Sequence, residues 1–141
     1  MTFLRKTFFY AYVFMFIGVG ASGIFIASWE LPHIFHLPLD TLTPEVRATM
    51  LTQYRFLKSA ELSYGLFSFF FRNEIFAGQA VRKLFVAAVF LGVFARVLSV
   101  FVDGMPGWIW LAFAGLEAVT GVLIWTAPVT VPSAKLAGVS R

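Results

Sequence analysis

The sequence predicts an all-α protein, a four-helix transmembrane bundle with both termini in the cytoplasm. Of the 141 residues, 60% are hydrophobic and only 13% are charged, and the mean hydropathy is +0.84. Soluble domains average about 45–50% apolar and about 25% charged residues, so this composition is typical of a polytopic membrane protein. Four apolar segments approach the length of about 20 residues that crosses a bilayer core. We expect residues 1–141 to form a single membrane domain.

The first predicted span runs from about Phe8 to Ser28. It follows Arg5 and Lys6, as the apolar core of a secretory signal would. The apolar run to Trp29 is about 22 residues long, however, whereas a signal core has about 7–15. We therefore expect a retained span. Its small residues allow another helix to approach closely. They are Gly18, Gly20, Ala21, Ser22 and Gly23.

The connection after the first span holds both histidines of the chain. Glu30, His33 and His36 are spaced three apart and would be candidate ligands for zinc or another divalent metal if they shared a helical face. Pro32 and Pro38 interrupt that segment and no fourth ligand is evident, so we assign no metal. The alternative is that the histidines anchor the chain at the membrane interface.

A helix start is predicted at Thr43-Pro44-Glu45, with Thr as the cap and Pro in the first turn. The second predicted span then runs from about Tyr54 to Phe71, and three charges crowd its first half. They are Arg55, Lys58 and Glu61. The alternative is a surface helix followed by a shorter buried run. We favour a span because its second half carries no charge and the opening charges can reach the interface.

The third predicted span runs from about Leu84 to Val102 and the fourth from about Gly107 to Ala127, with a tight turn over residues 103–106. Lys and Arg concentrate in the cytoplasmic connections of membrane proteins. Seven lie in the N-terminus, the second connection and the tail, whereas Arg47 is the only one in the other two connections. The seven are Arg5, Lys6, Arg72, Arg82, Lys83, Lys135 and Arg141. This distribution places both termini in the cytoplasm.

Three ionisable residues inside the predicted spans point to a polar site: Glu61, Arg96 and Glu117. A charge in the bilayer costs roughly 2.5 kcal/mol or more, so such residues usually face a partner, a cavity or a ligand. Glu61 and Arg96 lie roughly 10 Å from the outer ends of their spans and Glu117 roughly 15 Å. Two carboxylates and one guanidinium at similar depth predict an Arg96-centred pair or triad. Lys58 is placed to neutralise the second acid.

Each charge belongs to a stripe of polar or small residues at three- and four-residue steps, the spacing of one helix face. The stripe of the second span is Tyr54, Lys58, Glu61, Gly65, Ser68 and Arg72. That of the third is Gly92, Arg96, Ser99 and Asp103. That of the fourth is Trp110, Ala114, Glu117 and Gly121. Packing the stripes together would hide the charges from lipid.

We predict a pocket for a small amphipathic or lipid-like molecule. Its candidate residues are Glu61, Arg96, Glu117 and Lys58, with Asp103 and Trp108 at the rim. The alternative is an ion-pair clasp in an accessory subunit of a larger membrane complex or in a homo-oligomer, where the 18 Phe would supply contacts. A third hypothesis is an enzyme that uses the two acids as a general acid and base on a lipid, as small sterol-isomerase-like bundles do.

Several function classes have no support in the sequence. Cysteine is absent, which removes disulfides and thiolate chemistry. No GxSxG, HExxH or phosphate-binding glycine loop occurs, and no pattern identifies a cofactor. The net charge is +4, but basic residues flank apolar runs instead of forming one patch, which argues against nucleic acid. The glycines between Gly18 and Gly23 lie inside an apolar run with no preceding strand, so we assign them to helix packing.

The stretch from Ala95 to Pro106, followed by Glu117, resembles the R-x-x-S-x-x-x-D-G-x-P…E core of a small four-span bacterial integral membrane family catalogued as a domain of unknown function. The matching residues are Arg96, Ser99, Asp103, Gly104, Pro106 and Glu117. That family also carries an Arg near the start of the second span, which Arg55 or Arg72 would match. The resemblance covers about residues 8–127, and its layout is distantly similar to DoxX-like four-helix proteins. It implies a helical bundle in a bacterial inner membrane and no established reaction.

Overall fold

The computed structural model describes residues 2–77 and 80–128, and within these ranges the chain is all-helical. The helices are α1 (Thr2–His33), α2 (Pro44–Phe70), α3 (Arg72–Ala77), α4 (Ala80–Asp103) and α5 (Trp108–Trp125), with a 3-10 turn at Leu39–Thr41. The chain divides into two compact units, Met1–Phe70 and Phe71–Arg141. We refer to them as the first and second unit. The expectation that both belong to one membrane domain stays a prediction.

Three of the described helices are long and apolar enough to cross a membrane: Phe3–His33, Ala80–Asp103 and Trp108–Trp125. The protein is therefore a multi-pass membrane protein by the length and composition of its helices. The helix α2 is also long enough, with 27 residues, but its charges lower its hydropathy. Those charges are Glu45, Arg47, Arg55, Lys58 and Glu61. The second span stays a prediction.

In the first unit, α1 and α2 are antiparallel and their backbones approach closely at glycines. A Cβ atom on Gly20 would lie 2.5 Å from the backbone N of Leu62, and one on Gly65 would lie 3.0 Å from the backbone N of Ile17. The buried residues of α2 are Lys58, Gly65 and Ser68, all members of the predicted stripe. The part of the stripe that lies on α2 thus belongs to its buried face, whereas Arg72 of the predicted stripe lies in α3 because α2 ends at Phe70. Among the α1 glycines, Gly18 has no neighbour within 4 Å of its Cβ position.

The connection between α1 and α2 is shorter than the sequence predicted. Pro32 lies inside the last turn of α1, which continues to His33. The rings of Trp29 and His33 stack at this end of the helix with their centroids 4.8 Å apart. The predicted start at Thr43-Pro44 is confirmed, because α2 begins at Pro44 and the Val46 N–H donates to Thr43 Oγ1 at 3.4 Å. The connection is therefore residues 34–43.

The helix α1 has one irregularity, which lies in its second half. Ile26 has non-helical dihedrals, φ −108° and ψ 22°, and marks a kink. Two residues earlier, the carbonyl of Ile24 accepts a hydrogen bond from Nε of Arg55 at 3.2 Å. A side chain that donates to a helix carbonyl is one recognised cause of a kink. Arg55 thereby finds a backbone partner inside its own unit.

In the second unit, α4 and α5 are antiparallel and joined by residues 104–107. Gly104 has a positive φ of 99°, a conformation that glycine adopts without strain, and this agrees with the predicted turn. The predicted basic connection contains the short helix α3. The buried side chains of α4 all lie in its first half. They are Arg82, Phe85, Val86 and Val89.

Arg82 joins the ends of three helices in this unit. Its Nε donates to the Ile75 carbonyl at 2.9 Å, its Nη1 to the Ala127 carbonyl at 2.7 Å, and its Nη2 to the Phe76 carbonyl. The residue is only 6% exposed. The last carbonyls of a helix have no partner within the helix, so a buried guanidinium with several donors satisfies them. Sequence reasoning counted Arg82 only as a signal of membrane orientation.

Candidate functional site

Arg96 and Glu117 form a two-point ion pair between α4 and α5. The Nε and Nη2 atoms of Arg96 each lie 3.0 Å from a different carboxylate oxygen of Glu117. Glu117 is 2% exposed, whereas the side chain of Arg96 is 35% exposed. The fork geometry of arginine matches a carboxylate and gives a strong, directional pair. The predicted Arg96–Glu117 pair is present within the second unit.

A cavity of about 190 Å³ has Arg96 among its lining residues. It is formed by the second half of α4, the linker and the first half of α5. Its lining residues are Arg96, Val97, Ser99, Val100, Pro106, Trp110, Leu111 and Ala114. Most of this wall is apolar. Three of its side chains carry hydrogen-bond donors: Arg96, Ser99 and the indole of Trp110. The cavity lies where α4 contributes no buried side chains, since its buried residues end at Val89.

The two residues predicted at the rim have different surroundings. Asp103 accepts a hydrogen bond from Ser99 Oγ at 2.6 Å, and this places its carboxylate next to a residue that lines the cavity. Trp108 is 79% exposed and is not among the lining residues, whereas Trp110 is. Trp110 and Ser99 belonged to the predicted stripes, so the stripe periodicity was the signal that could have identified them as site residues.

The other two predicted site residues, Lys58 and Glu61, pair with each other in the first unit. Nζ of Lys58 lies 2.8 Å from Oε2 of Glu61, one turn away on α2. Lys58 was expected to reach towards the membrane surface, but it is 3% exposed and its carbon chain packs against Gly23. The absence of a side chain at Gly23 leaves space for that chain. The prediction that Glu61 shares a site with Arg96 stays a prediction.

The first unit contains a second cluster of polar side chains, which the sequence analysis did not predict. Glu30 is 6% exposed and accepts hydrogen bonds from Tyr54 Oη at 2.7 Å and from Ser22 Oγ at 3.2 Å. Nζ of Lys58 lies 5.2 Å from the centre of the Tyr54 ring, within cation–π range. Tyr54 therefore connects the two polar groups of this unit. Sequence reasoning placed Tyr54 on the right stripe but treated Glu30 as a metal candidate.

The metal candidates are used differently. Glu30 is occupied by the two hydroxyl groups, His33 Nδ1 lies 2.8 Å from the Trp29 carbonyl, and His36 lies beyond the end of α1 with a φ of 55°. Within residues 2–77 and 80–128, no group of three or more His, Cys, Asp or Glu side chains could hold a metal ion. The His33 ring stacks on Trp29, and the interfacial-anchor interpretation stays a prediction.

A larger depression of about 330 Å³ lies at the 3-10 turn and the start of α2. Its only ion pair joins Arg47 and Asp40 at 3.7 Å, and both side chains are largely exposed, 45% and 97%. Exposed pairs of this kind contribute about 0–1 kcal/mol, and no buried polar group faces the depression. Of these two sites, the Arg96 cavity is smaller, but it combines mostly apolar walls with an ion pair whose carboxylate is buried.

Comparisons with known proteins bear on the family of the chain. No curated protein and no solved structure matches it significantly. The model of one family, described as "Domain of unknown function (DUF4345)", matches residues 4–127. This range includes α1 except its first two residues, all of α2 to α5, the Arg96–Glu117 pair and every residue that lines the cavity. The chain therefore belongs to the DUF4345 family.

Proposed function

We propose that this protein binds a small amphipathic or lipid-like molecule in the cavity beside Arg96. The observation that carries the proposal is the composition of the cavity wall, which joins a guanidinium to apolar side chains. Small-molecule sites are typically apolar clefts with a few convergent polar groups. A molecule with one polar end and an apolar body would match both parts of the wall.

Arg96 retains hydrogen-bonding capacity for such a ligand. A guanidinium has five N–H donors, and Glu117 accepts from two nitrogen atoms, Nε and Nη2. The remaining N–H groups are available at the exposed part of the side chain, which lines the cavity. The two-point pair with the buried Glu117 constrains both the position and the plane of the guanidinium, which keeps it in a fixed orientation. The pair would thus position the donor that the ligand meets.

The proposal includes the topology expected from the sequence: four spans, both termini in the cytoplasm, and a bacterial inner membrane. This orientation is supported by the seven basic residues of the predicted cytoplasmic segments, compared with one in the predicted outer connections. For α2 the support is its length of 27 residues and the partners of three of its charges. Arg55 donates to the Ile24 carbonyl of α1, and Lys58 pairs with Glu61 on α2 itself. In this orientation the Arg96 cavity lies in the outer half of the bilayer.

The topology can be tested with single cysteines, because the chain has none of its own. Asp40→Cys and Glu74→Cys flank α2, and Met105→Cys lies in the α4–α5 linker. If the chain has four spans, an impermeant thiol reagent added outside should label the cysteines at positions 40 and 105. The cysteine at position 74 should be labelled only after the membrane is permeabilised. Labelling of positions 40 and 74 from the same side would show that α2 does not cross.

Ligand binding can be tested by filling the cavity without touching the ion pair. Ala114→Leu adds three carbon atoms at a lining position, whereas Gly115→Leu adds a side chain at a neighbouring position with nothing within 4 Å of its Cβ. We expect small amphiphiles to co-purify with the wild type and with Gly115→Leu, and to be lost from Ala114→Leu. Mass spectrometry of extracts from the three proteins measures this. Equal recovery from all three would contradict the proposal.

The alternative function is that of an accessory subunit in which Arg96 and Glu117 act as a structural clasp. The observation in its favour is that both carboxylate oxygens of the buried Glu117 are engaged, so the pair is complete without a ligand. The partner would be a larger membrane complex or a second copy of the chain. Purification in mild detergent followed by native mass spectrometry tests this. A protein that migrates only as a single chain would contradict it.

A further inference from the structure

The charges around the cavity indicate which polar group its ligand carries. Glu117 already neutralises the guanidinium of Arg96 through two 3.0 Å hydrogen bonds. The wall residue Ser99 donates to Asp103 at 2.6 Å, so a second carboxylate lies close to the cavity. One cation and two carboxylates give these groups a net charge of −1. The surroundings therefore repel an anion even though an arginine lines the wall.

We propose that the cavity selects an uncharged amphiphile whose polar end accepts a hydrogen bond, such as a ketone, ester or amide carbonyl. This inference rests on the proposed function. A carbonyl oxygen can accept an N–H of Arg96 that Glu117 does not use. It requires no counter-charge, so the Arg96–Glu117 pair stays intact when it binds.

A carboxylate or phosphate would meet two costs at the same place. It would lose its hydration in a wall that is mostly apolar, and removing an ionised group from water is expensive unless a free cation compensates. The available cation is already paired with Glu117, and the Asp103 carboxylate adds repulsion of like charge. Because Asp103 is exposed, its repulsion is screened and is the smaller of the two costs, while the loss of hydration is the larger. Anionic head groups should therefore be rejected.

The size of the cavity limits how much of the ligand it holds. A cavity of about 150 Å³ lined by apolar side chains accommodates a benzene molecule, and the Arg96 cavity is about 190 Å³. One ring or a short chain with its polar group fits, whereas a whole membrane lipid does not. Two wall residues, Val97 and Leu111, are 46% and 41% exposed, so the cavity is open beside them. A longer apolar tail would extend through that opening.

A matched pair of probes tests this selection: 4-ethylacetophenone, a neutral ketone, and 4-ethylbenzoate, an anion of nearly the same shape. Binding is measured at pH 8 from the thermal melting of purified protein and from tryptophan fluorescence, since Trp110 lines the cavity. We expect the ketone to bind at least roughly tenfold more tightly than the benzoate, a difference of about 1.4 kcal/mol. In Ala114→Leu the ketone signal should disappear.

A charge substitution sharpens the test. Glu117→Gln keeps the shape of the side chain but leaves the Arg96 guanidinium without its counter-charge. We expect the preference to shift towards the benzoate by roughly tenfold or more. Asp40→Asn is the control, because it removes one negative charge from an exposed position of the first unit and should leave the preference unchanged.

The possible outcomes separate the two proposals. If the benzoate binds the wild type as tightly as the ketone, and Ala114→Leu abolishes both signals, the cavity binds ligands but the selection for uncharged molecules is wrong. If neither probe gives a signal that Ala114→Leu removes, the ligand-binding function itself is contradicted. A ketone preference that Glu117→Gln reverses supports both. Because the wild-type comparison needs no variant, it decides the selection even where Glu117→Gln fails to fold.

Discussion

The two units of this protein join their helices in different ways. In the first unit, α1 and α2 approach backbone to backbone, and a Cβ atom on Gly20 would meet three backbone atoms of α2 within 2.9 Å. In the second unit, contact between α4 and α5 depends on side chains. A Cβ atom on Gly121 would meet only side-chain atoms of Val89 and Phe90, at 3.1–3.3 Å, and the Arg96–Glu117 pair holds the other half of the helix pair.

The Arg96 cavity lies in the second unit, where the helices meet through side chains. Helices in backbone contact leave no space between them, and the small residues of α1 produce that contact. In the second unit, α4 and α5 meet through the side chains of Arg96 and Glu117, and the cavity lies next to this pair. The first unit uses its polar residues inside a close interface, whereas the second places its ion pair beside an opening. The following substitutions test that contrast.

The largest effect is expected from Arg82→Ala, because the second unit depends on side chains. The substitution removes the hydrogen bonds to the carbonyls of Ile75, Phe76 and Ala127 and leaves those carbonyls without their donor. Hydrogen bonds to a charged group contribute about 1.5–3 kcal/mol each, so we expect a loss of about 3 kcal/mol or more. Thermal melting in detergent measures it. Lys83→Ala is the control, since it removes an equal charge from an exposed neighbour and should change little.

Gly20→Ala should destabilise the first unit by about 1–3 kcal/mol, the usual cost of inserting a methyl group into a filled interface. The atoms that it meets belong to the backbone of Leu62 and Lys58 and cannot rotate away. Gly18→Ala is the matched control. Its Cβ meets nothing within 4 Å, so we expect a gain of about 0.5–1 kcal/mol from the better helix propensity of alanine. Equal melting temperatures for the two variants would contradict close backbone contact at Gly20.

Tyr54→Phe removes the 2.7 Å hydrogen bond to Glu30 while keeping the ring. We expect a loss of about 1–2 kcal/mol, because a buried carboxylate loses one of its two hydroxyl donors. Tyr10→Phe serves as the control, since the Tyr10 ring packs against Phe9 and Phe14 and is kept by the substitution. Thermal melting of both variants measures the difference. If Tyr10→Phe lowers the stability by the same amount, the effect comes from removing any tyrosine hydroxyl and not from the Tyr54–Glu30 hydrogen bond.

The smallest effect is expected from Gly121→Ala, the counterpart of Gly20→Ala in the second unit. Its Cβ would lie 3.1 Å from Phe90 Cζ and 3.2 Å from Val89 Cγ1. These are side-chain atoms, which can move by a few tenths of an ångström, so we expect a change below about 1 kcal/mol. If Gly121→Ala destabilises the protein as much as Gly20→Ala does, the contrast between side-chain and backbone contact is wrong.

Much of the helical architecture could be predicted from residue patterns. Long apolar runs indicate helices that cross a membrane, because only a helix satisfies its own backbone there, and α1, α4 and α5 agree with that prediction. Thr43-Pro44 indicated where α2 begins. The spacing of three and four residues indicated that Lys58, Gly65 and Ser68 share a face. A charge at Arg96 and a charge at Glu117 within apolar runs indicated that each needs a partner.

The partners themselves depend on which helices pack together, and a pattern within one helix cannot encode that. Glu30 meets Tyr54 only because α1 and α2 are antiparallel in one register, and Arg82 reaches the Ala127 carbonyl only because α5 ends beside α4. The cavity likewise depends on how α4 and α5 pack, since it lies along the part of α4 that has no buried side chains. Residue types thus determined that charges lie inside these helices and need partners, while tertiary packing decided which groups meet and where space remains.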